Sequence, residues 1–358
     1  MKRLLFFAAA FAAMLQTFSA EACTGITLRA KDGAYIVART IEWGGSNLNS
    51  RYVVVPRGYR QQSLTPDGSD GMAFTSRYGY VGFAVEDERF VAEGINEAGL
   101  SAGLFYFPGY GQYATFDPKL KAKSVADLQL VAWILGSCKT TAEVKAAIAS
   151  VRVISVYPGA STVHWRFADA SGDQIVLEYI DGKAVFYQND LGVLTNSPSF
   201  DWQLTHLNNF VNLYSGAAPT HKQGAIELAP FGAGSGMLGI PGDVTPPSRF
   251  VRATFYQTTA PQLDSARATV LQCFQILTNF DIPIGVEFSQ GQTPTDIPSA
   301  TQWTSATDTK NRLIYYRTMY NSAIRCFDLN TIDFSRIKYR SEPLDRVREQ
   351  PVVPIVVQ

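Results

Sequence analysis

Histidine is scarce in this chain, and so is cysteine. His164, His206 and His221 are the only three histidines in 358 residues. None forms a His-x-x-x-His pair or a Cys/His cluster, which argues against a metal site, and no cofactor is expected. The four cysteines, Cys23, Cys138, Cys273 and Cys326, follow no metal-ligand spacing. The last three lie in apolar segments and are expected as buried packing residues, with their pairing left open. No surplus of either charge exists: 31 basic residues face 31 acidic ones. Nothing therefore calls for nucleic acid or an anionic membrane as partner. After Leu15 no apolar run approaches the roughly 18–20 residues of a membrane span. A serine-hydrolase elbow is also missing, since Gly232-Ala233-Gly234-Ser235-Gly236 has alanine where the first glycine is required.

What is present begins at the amino terminus. Lys2 and Arg3 precede the apolar run Leu4–Leu15, and Ala20-x-Ala22 supplies small residues for cleavage. Residues 1–22 thus read as a secretory signal, residues 23–358 as a single domain, and the product as exported, periplasmic or secreted. From Cys23 on, the formal charge is −1. Cutting after Ala22 leaves Cys23 with both a thiol and its own free α-amine. The amine, with an unperturbed pKa of roughly 7.7–8.0, can accept the thiol proton near neutral pH. A lipoprotein signal is the competing reading of a cysteine at this place, but Glu21 is foreign to it.

Along the chain, strands are expected at Thr24–Ala30 and Tyr35–Trp43, joined by the hairpin signal Lys31-Asp32-Gly33. Further strands are expected at 51–56, 74–85, 90–93 and 100–107. Ser124-Val125-Ala126-Asp127 and Thr140-Thr141-Ala142-Glu143 read as capping boxes opening helices. Strands resume at 151–156, 163–168, 174–180, 184–188 and 191–195. Helices are expected at 201–214, 248–257 and 264–279, the last with an Asp264 cap, and strands again at 311–317 and 323–328. The segment 216–247 is a long glycine- and proline-rich loop, a length that usually marks function. Blocks of strands between blocks of helices fit one α+β domain of two packed sheets with helices outside.

Several motifs in order resemble those of the choloylglycine hydrolases, the family of bile salt hydrolases and penicillin V acylases. They are Cys23-Thr24-Gly25, Ala38-Arg39-Thr40-Ile41-Glu42-Trp43, Glu93-Gly94-Ile95-Asn96-Glu97-Ala98-Gly99-Leu100, Leu194-Thr195-Asn196-Ser197-Pro198-Ser199-Phe200, Pro241-Gly242-Asp243 and Ser248-Arg249-Phe250-Val251-Arg252. The likeness runs from Cys23 to about Phe255 and more weakly to about Phe334. It implies the N-terminal nucleophile (Ntn) hydrolase fold, an αββα sandwich of two mainly antiparallel sheets between helical layers. It also implies cleavage of an amide bond in a small molecule and a homo-oligomer, often a tetramer.

The same resemblance places Arg39 beside the thiol, where a cation favours thiolate. It gives Asn196 and the backbone N–H of Tyr106 to the oxyanion hole, and sets Arg249 near the active centre. Taken alone, Arg39 and Arg249 read as surface arginines, Asn196 as a turn residue and Tyr106 as a core aromatic. Glu42 stands where the family places an aspartate that holds the terminal amine. It keeps the carboxylate with one more methylene, and alone it reads as an exposed strand-end acid. Tyr106 favours a flat aromatic acyl group, as in penicillin V, whereas Gly239-Ile240-Pro241-Gly242-Asp243 looks closer to bile salt hydrolases. The acyl specificity stays open between these, with N-acyl homoserine lactones as a third class and a non-catalytic exported binding protein as the alternative to an enzyme.

Overall fold

The computed structural model describes residues 21–157, 162–289 and 291–357. The expected signal segment lies almost wholly outside these. Two antiparallel sheets form the centre. The first has five strands, in the order Glu21–Arg29 (β1), Tyr35–Trp43 (β2), Thr301–Asp308, Leu313–Thr318 and Asn321–Asp328. The second has eight, from Lys183–Gln188 at one edge through Gln174–Ile180, Val163–Ala168, Ser101–Tyr106, Val91–Asn96, Tyr80–Ala84 and Arg51–Val55 to Arg340–Pro343.

β1 and β2 pair because the turn between them fits. Gly33 takes φ +86°, which a Cβ would strain, and the Asp32 carboxylate accepts the Ala34 N–H at 3.0 Å. The two sheets meet closely at Gly25. A Cβ there would stand 2.6 Å from a guanidinium nitrogen of Arg166 and 3.0 Å from the Phe105 ring, both from the second sheet. Strands facing this interior are buried on both sides, and some read as apolar runs rather than alternating ones, as in Tyr80–Ala84.

Helices cover the outer faces. Ala266–Leu277 buries Thr269, Val270, Cys273, Phe274 and Leu277 at helical spacing against β2 and Thr301–Asp308. Pro246–Thr259 packs on β1. Leu130–Ser137 lies on Val91–Asn96 and Ser101–Tyr106 of the second sheet. The result is the αββα layering of the expected α+β class.

Some local expectations give way to tertiary contacts. Ser124–Ala126 is not a helix cap but a strand paired in parallel with Arg152–Ile154. Asp127 there uses its carboxylate on the backbone N–H groups of Leu128 and Val156. The stretch 74–85 is two strands, Asp70–Thr75 and Tyr80–Ala84, broken where Gly79 lets the Phe334 ring approach to 2.2 Å of a would-be Cβ. Ser265 caps the helix at 266, while Asp264 pairs with Lys31. The expected strand 191–195 reduces to one bridge, Leu194 to Gly25. All four cysteines are free, and Cys326 is exposed on an edge strand rather than packed in the core. Among the described residues no helix is long and apolar enough to cross a membrane.

Candidate active site

β1 carries Cys23 as its third residue. Glu21 and Ala22 continue the pairing with β2, so that Ala22 faces Glu42 and Cys23 faces Ile41. Ala22 is buried among Ile282 and Ala300. The thiol is therefore not at a strand end, as the hairpin suggested, but inside a strand and 4% exposed.

Arg39 is wholly buried rather than on the surface. Its Nη2 donates to Cys23 Sγ at 2.8 Å. The remaining N–H groups go to backbone carbonyls: Nε to Thr40 at 3.2 Å, and Nη1 to Leu104 and, at 3.3 Å, to Ala92. The Phe105 ring lies 4.1 Å from the guanidinium carbon. Glu93 Oε2 stands 3.7 Å from Arg39 Nη1 and 3.9 Å from Arg166 Nη2, so one buried carboxylate serves two buried cations. A buried cation needs such partners, because removing one leaves an uncompensated charge in low dielectric.

Asn196 comes from the loop tied to β1 by the Leu194–Gly25 backbone bonds. Its Oδ1 accepts the Cys23 N–H at 2.8 Å and Arg249 Nη2 at 2.7 Å, and its Nδ2 donates to the Tyr106 carbonyl at 2.8 Å. An amide has two N–H donors, so one is left for a substrate oxygen. Arg249, near the start of Pro246–Thr259, is also wholly buried. Its Nη1 reaches the Cys23 carbonyl at 2.5 Å and the Thr24 hydroxyl at 2.9 Å. The backbone N–H of Tyr106 bonds the Cys23 sulfur and favours its ionised form. The Tyr106 ring is half-buried and meets Trp43 edge-on at 6.4 Å.

Glu42 is 2% exposed, not the strand-end surface acid its position suggested. Oε1 accepts from Thr301 at 3.4 Å, and Oε2 has no hydrogen-bond partner. Burial pushes its carboxyl up to about 8, against the pull of Arg249, Thr40 and Arg39 and with a further push from Glu287. Burial also raises the Cys23 thiol above its ordinary value, outweighing Arg39. The neighbouring cation therefore does not by itself offset the burial of the thiol.

All six singled-out residues thus meet at one point. The sequence reading gave no role to Glu93 or Thr24, which it named only within motifs, and passed over Arg166. A charge inside an apolar strand, as in Val91-Ala92-Glu93 or Trp165-Arg166-Phe167, was the available signal. Among the described residues no group of three or more His, Cys, Asp or Glu side chains could hold a metal ion.

Residues 23–340 match the model of a family described as linear amide C–N hydrolases, choloylglycine hydrolase family. A bile salt hydrolase/transferase of Clostridium perfringens (strain 13 / Type A) is 31% identical over 327 residues, 88% of this chain and 95% of its own. A penicillin V acylase of Pectobacterium atrosepticum is 25% identical over 328 residues, 84% of this chain and 78% of its own. A mutant conjugated bile acid hydrolase of C. perfringens superimposes with a TM-score of 0.80 at 26% identity, over 93% of this chain and 100% of that one. Penicillin V acylase of Agrobacterium tumefaciens shares the fold, with a TM-score of 0.71 at 23% identity over 90% and 92% of the two chains.

Proposed function

The chain belongs to the choloylglycine hydrolase family of linear amide C–N hydrolases, and from that premise we propose that it is an exported hydrolase whose nucleophile is Cys23, freed by cleavage after Ala22. The observation that carries this reading is the hydrogen bonding around Cys23: Arg39 Nη2 donates to the sulfur at 2.8 Å, the Tyr106 N–H also bonds it, and Asn196 Oδ1 accepts the Cys23 N–H at 2.8 Å. Once freed, the α-amine takes the thiol proton, and Sγ attacks the amide carbon. The second N–H of Asn196 and the Tyr106 backbone receive the oxyanion. The proton passes to the leaving amine, a thioester remains on Cys23, and water hydrolyses it with the α-amine again as base. Arg249 holds the Cys23 carbonyl and Asn196 Oδ1 in place throughout. Glu42 receives the α-ammonium whenever the amine is protonated.

The burial of Cys23 inside β1 argues for this reading over a lipoprotein, whose acylated cysteine would have to leave the sheet. The substrate class is an acyl amide with a bulky apolar acyl group: conjugated bile salts, which the similarity to the C. perfringens hydrolase favours, or penicillin V, which the half-buried Tyr106 ring, edge-on to Trp43, favours. Exposed apolar side chains on 211–238, among them Val211, Ile226, Phe231 and Leu238, support assembly into a homo-oligomer.

The test is amine release from glycocholate, taurocholate and penicillin V by protein whose first residue is verified as Cys23. Release from at least one, abolished in Cys23→Ala, is expected. Turnover that survives Cys23→Ala would refute the assignment of the nucleophile. No release from any of the three would move the substrate to another acyl amide, such as an N-acyl homoserine lactone.

A further inference from the structure

One buried titratable pair has no part in the chemistry above. His164, on Val163–Ala168, and Glu178, on the neighbouring strand Gln174–Ile180, are both fully buried. His164 Nδ1 lies 3.0 Å from Glu178 Oε1, and its Nε2 lies 3.0 Å from the carbonyl oxygen of Thr195. The ring is stacked flat on Phe107, with centroids 4.3 Å apart and planes at 9°, and Phe105 meets it edge-on at 6.2 Å. It therefore cannot turn without displacing core aromatics.

The two partners constrain the protons. A backbone carbonyl only accepts. Glu178 Oε1 already accepts the Phe200 N–H at 3.0 Å. Nε2 therefore donates to Thr195, and Nδ1 shares a hydrogen bond with Glu178 Oε1. The attachment points are Thr195 and Phe200, the residues that bracket the loop holding Asn196. Inside that bracket Ser197 Oγ bonds the Pro108 carbonyl at 2.6 Å, and Gln203 Nε2 bonds the Asn196 carbonyl at 3.3 Å.

We propose that His164 and Glu178 form a buried hydrogen-bonded clamp that grips the 195–200 loop at both ends and thereby aims the Asn196 amide at the reacting carbonyl. Both are positioning residues acting through Asn196, and the inference rests on the reading of Cys23 and Asn196 given above. A shift of about 1 Å in a positioned group can cost around a hundredfold in rate. The clamp thus sets kcat, while the acyl pocket and KM lie elsewhere.

Two experiments test it, and one needs no substitution. With only three histidines in the chain, the ring nitrogens of His164 can be followed by 15N NMR of the processed wild-type protein at pH 7. A slowly exchanging proton on Nε2 of His164 is expected. A ring protonated at Nδ1 alone would overturn the clamp. Glu178→Gln keeps an acceptor for Phe200 but removes the carboxyl that meets His164. It should lower kcat by about ten- to a hundredfold with KM changed less than about twofold, on the scale of a misplaced catalytic group. His164→Gln should do the same. Competent sites counted with a thiol reagent should stay at the wild-type number. An unchanged kcat, or a loss that merely tracks the count of competent sites, would overturn the proposal. Failure of the underlying reading looks different: the thiol reagent would then leave the wild-type enzyme active.

Discussion

The two sides of Cys23 are built differently. On the thiol side, Arg39 spends its donors on three backbone carbonyls and the sulfur, and Glu93 stands within 4 Å of two guanidiniums. Burial pushes the Glu93 carboxyl up, while Arg166 and Arg39 pull it back. On the nitrogen side, among the described residues, Glu42 has no cation within ion-pair distance and one oxygen without any partner. Its carboxyl rises to about 8 while the Cys23 nitrogen is still tied up in a peptide bond. The first half already has its ion pairs in the unprocessed chain. On the function proposed above, the second half holds a place for the charge that cleavage after Ala22 would create. Such a site is pre-organised at its nucleophile and unfinished at its base.

The largest effect should come from breaking the completed half. Arg39→Met removes the donor at Sγ and leaves Glu93 with Arg166 alone. Steady-state kinetics should show kcat/KM lower by about a hundred- to a thousandfold, the range for losing a pre-organised charged donor. Urea unfolding should show a loss of about 3 kcal/mol, as for a buried ion pair stripped of one partner. Glu93→Gln tests the same half from below. It should cost a similar stability but only about tenfold in rate, because the bond from Arg39 to sulfur keeps its backbone anchors.

The unfinished half makes a prediction in pH. Glu42 has a folded-state pKa near 8 against 4.5 for the free group. Between those values the folded carboxyl keeps a proton that the unfolded one loses. Stability of a chain that retains residue 22 should therefore fall as pH rises from about 4.5 to about 8. Thermal melts at fixed salt should show that slope, Glu42→Gln should flatten it, and the processed chain should show little of it because the new ammonium faces the carboxylate. Equal slopes in processed and unprocessed protein would erase the contrast between the halves. The smallest effect is expected at Tyr106→Ala, which keeps the backbone N–H. Turnover should persist, and the ratio of penicillin V to glycocholate hydrolysis should fall by about two- to tenfold, the scale of one lost ring contact.

The sequence was most readable where chemistry sits on short motifs. Cys23, Arg39, Glu42, Asn196, Tyr106 and Arg249 each lie in a compact stretch, and all six converge. Their surroundings were less readable. Arg39 passes for a surface residue because Ala92, Glu93 and Leu104, which enclose it, come from strands more than fifty residues further along the chain. The strand Thr301–Asp308 escaped notice although it lies in the middle of the first sheet with every residue buried. Its Thr, Gln and Ser side chains mask the apolar signature a central strand usually shows; the Gln302 amide bonds the Trp43 and Ser46 carbonyls, while the Ser305 and Thr307 hydroxyls are buried without a hydrogen-bond partner among the described residues. Ser124–Asp127 erred the other way. A clean local capping signal lost to strand pairing with Arg152–Ile154 and to the Val156 N–H bond.

Ala22, stitched into β1 and packed against Ile282 and Ala300, bears on how the protein has to be handled. If, as proposed, cleavage after Ala22 frees the base, an affinity tag, fusion partner or surface tether placed ahead of Cys23 occupies that very bond. Such a preparation is then latent however well it folds. A specific activity measured on it reports the fraction of molecules that have been trimmed, and the right denominator is the amount of free amino-terminal cysteine rather than total protein. The exposed stretch Pro351–Val357 is the better anchor, because nothing in the reaction centre depends on it.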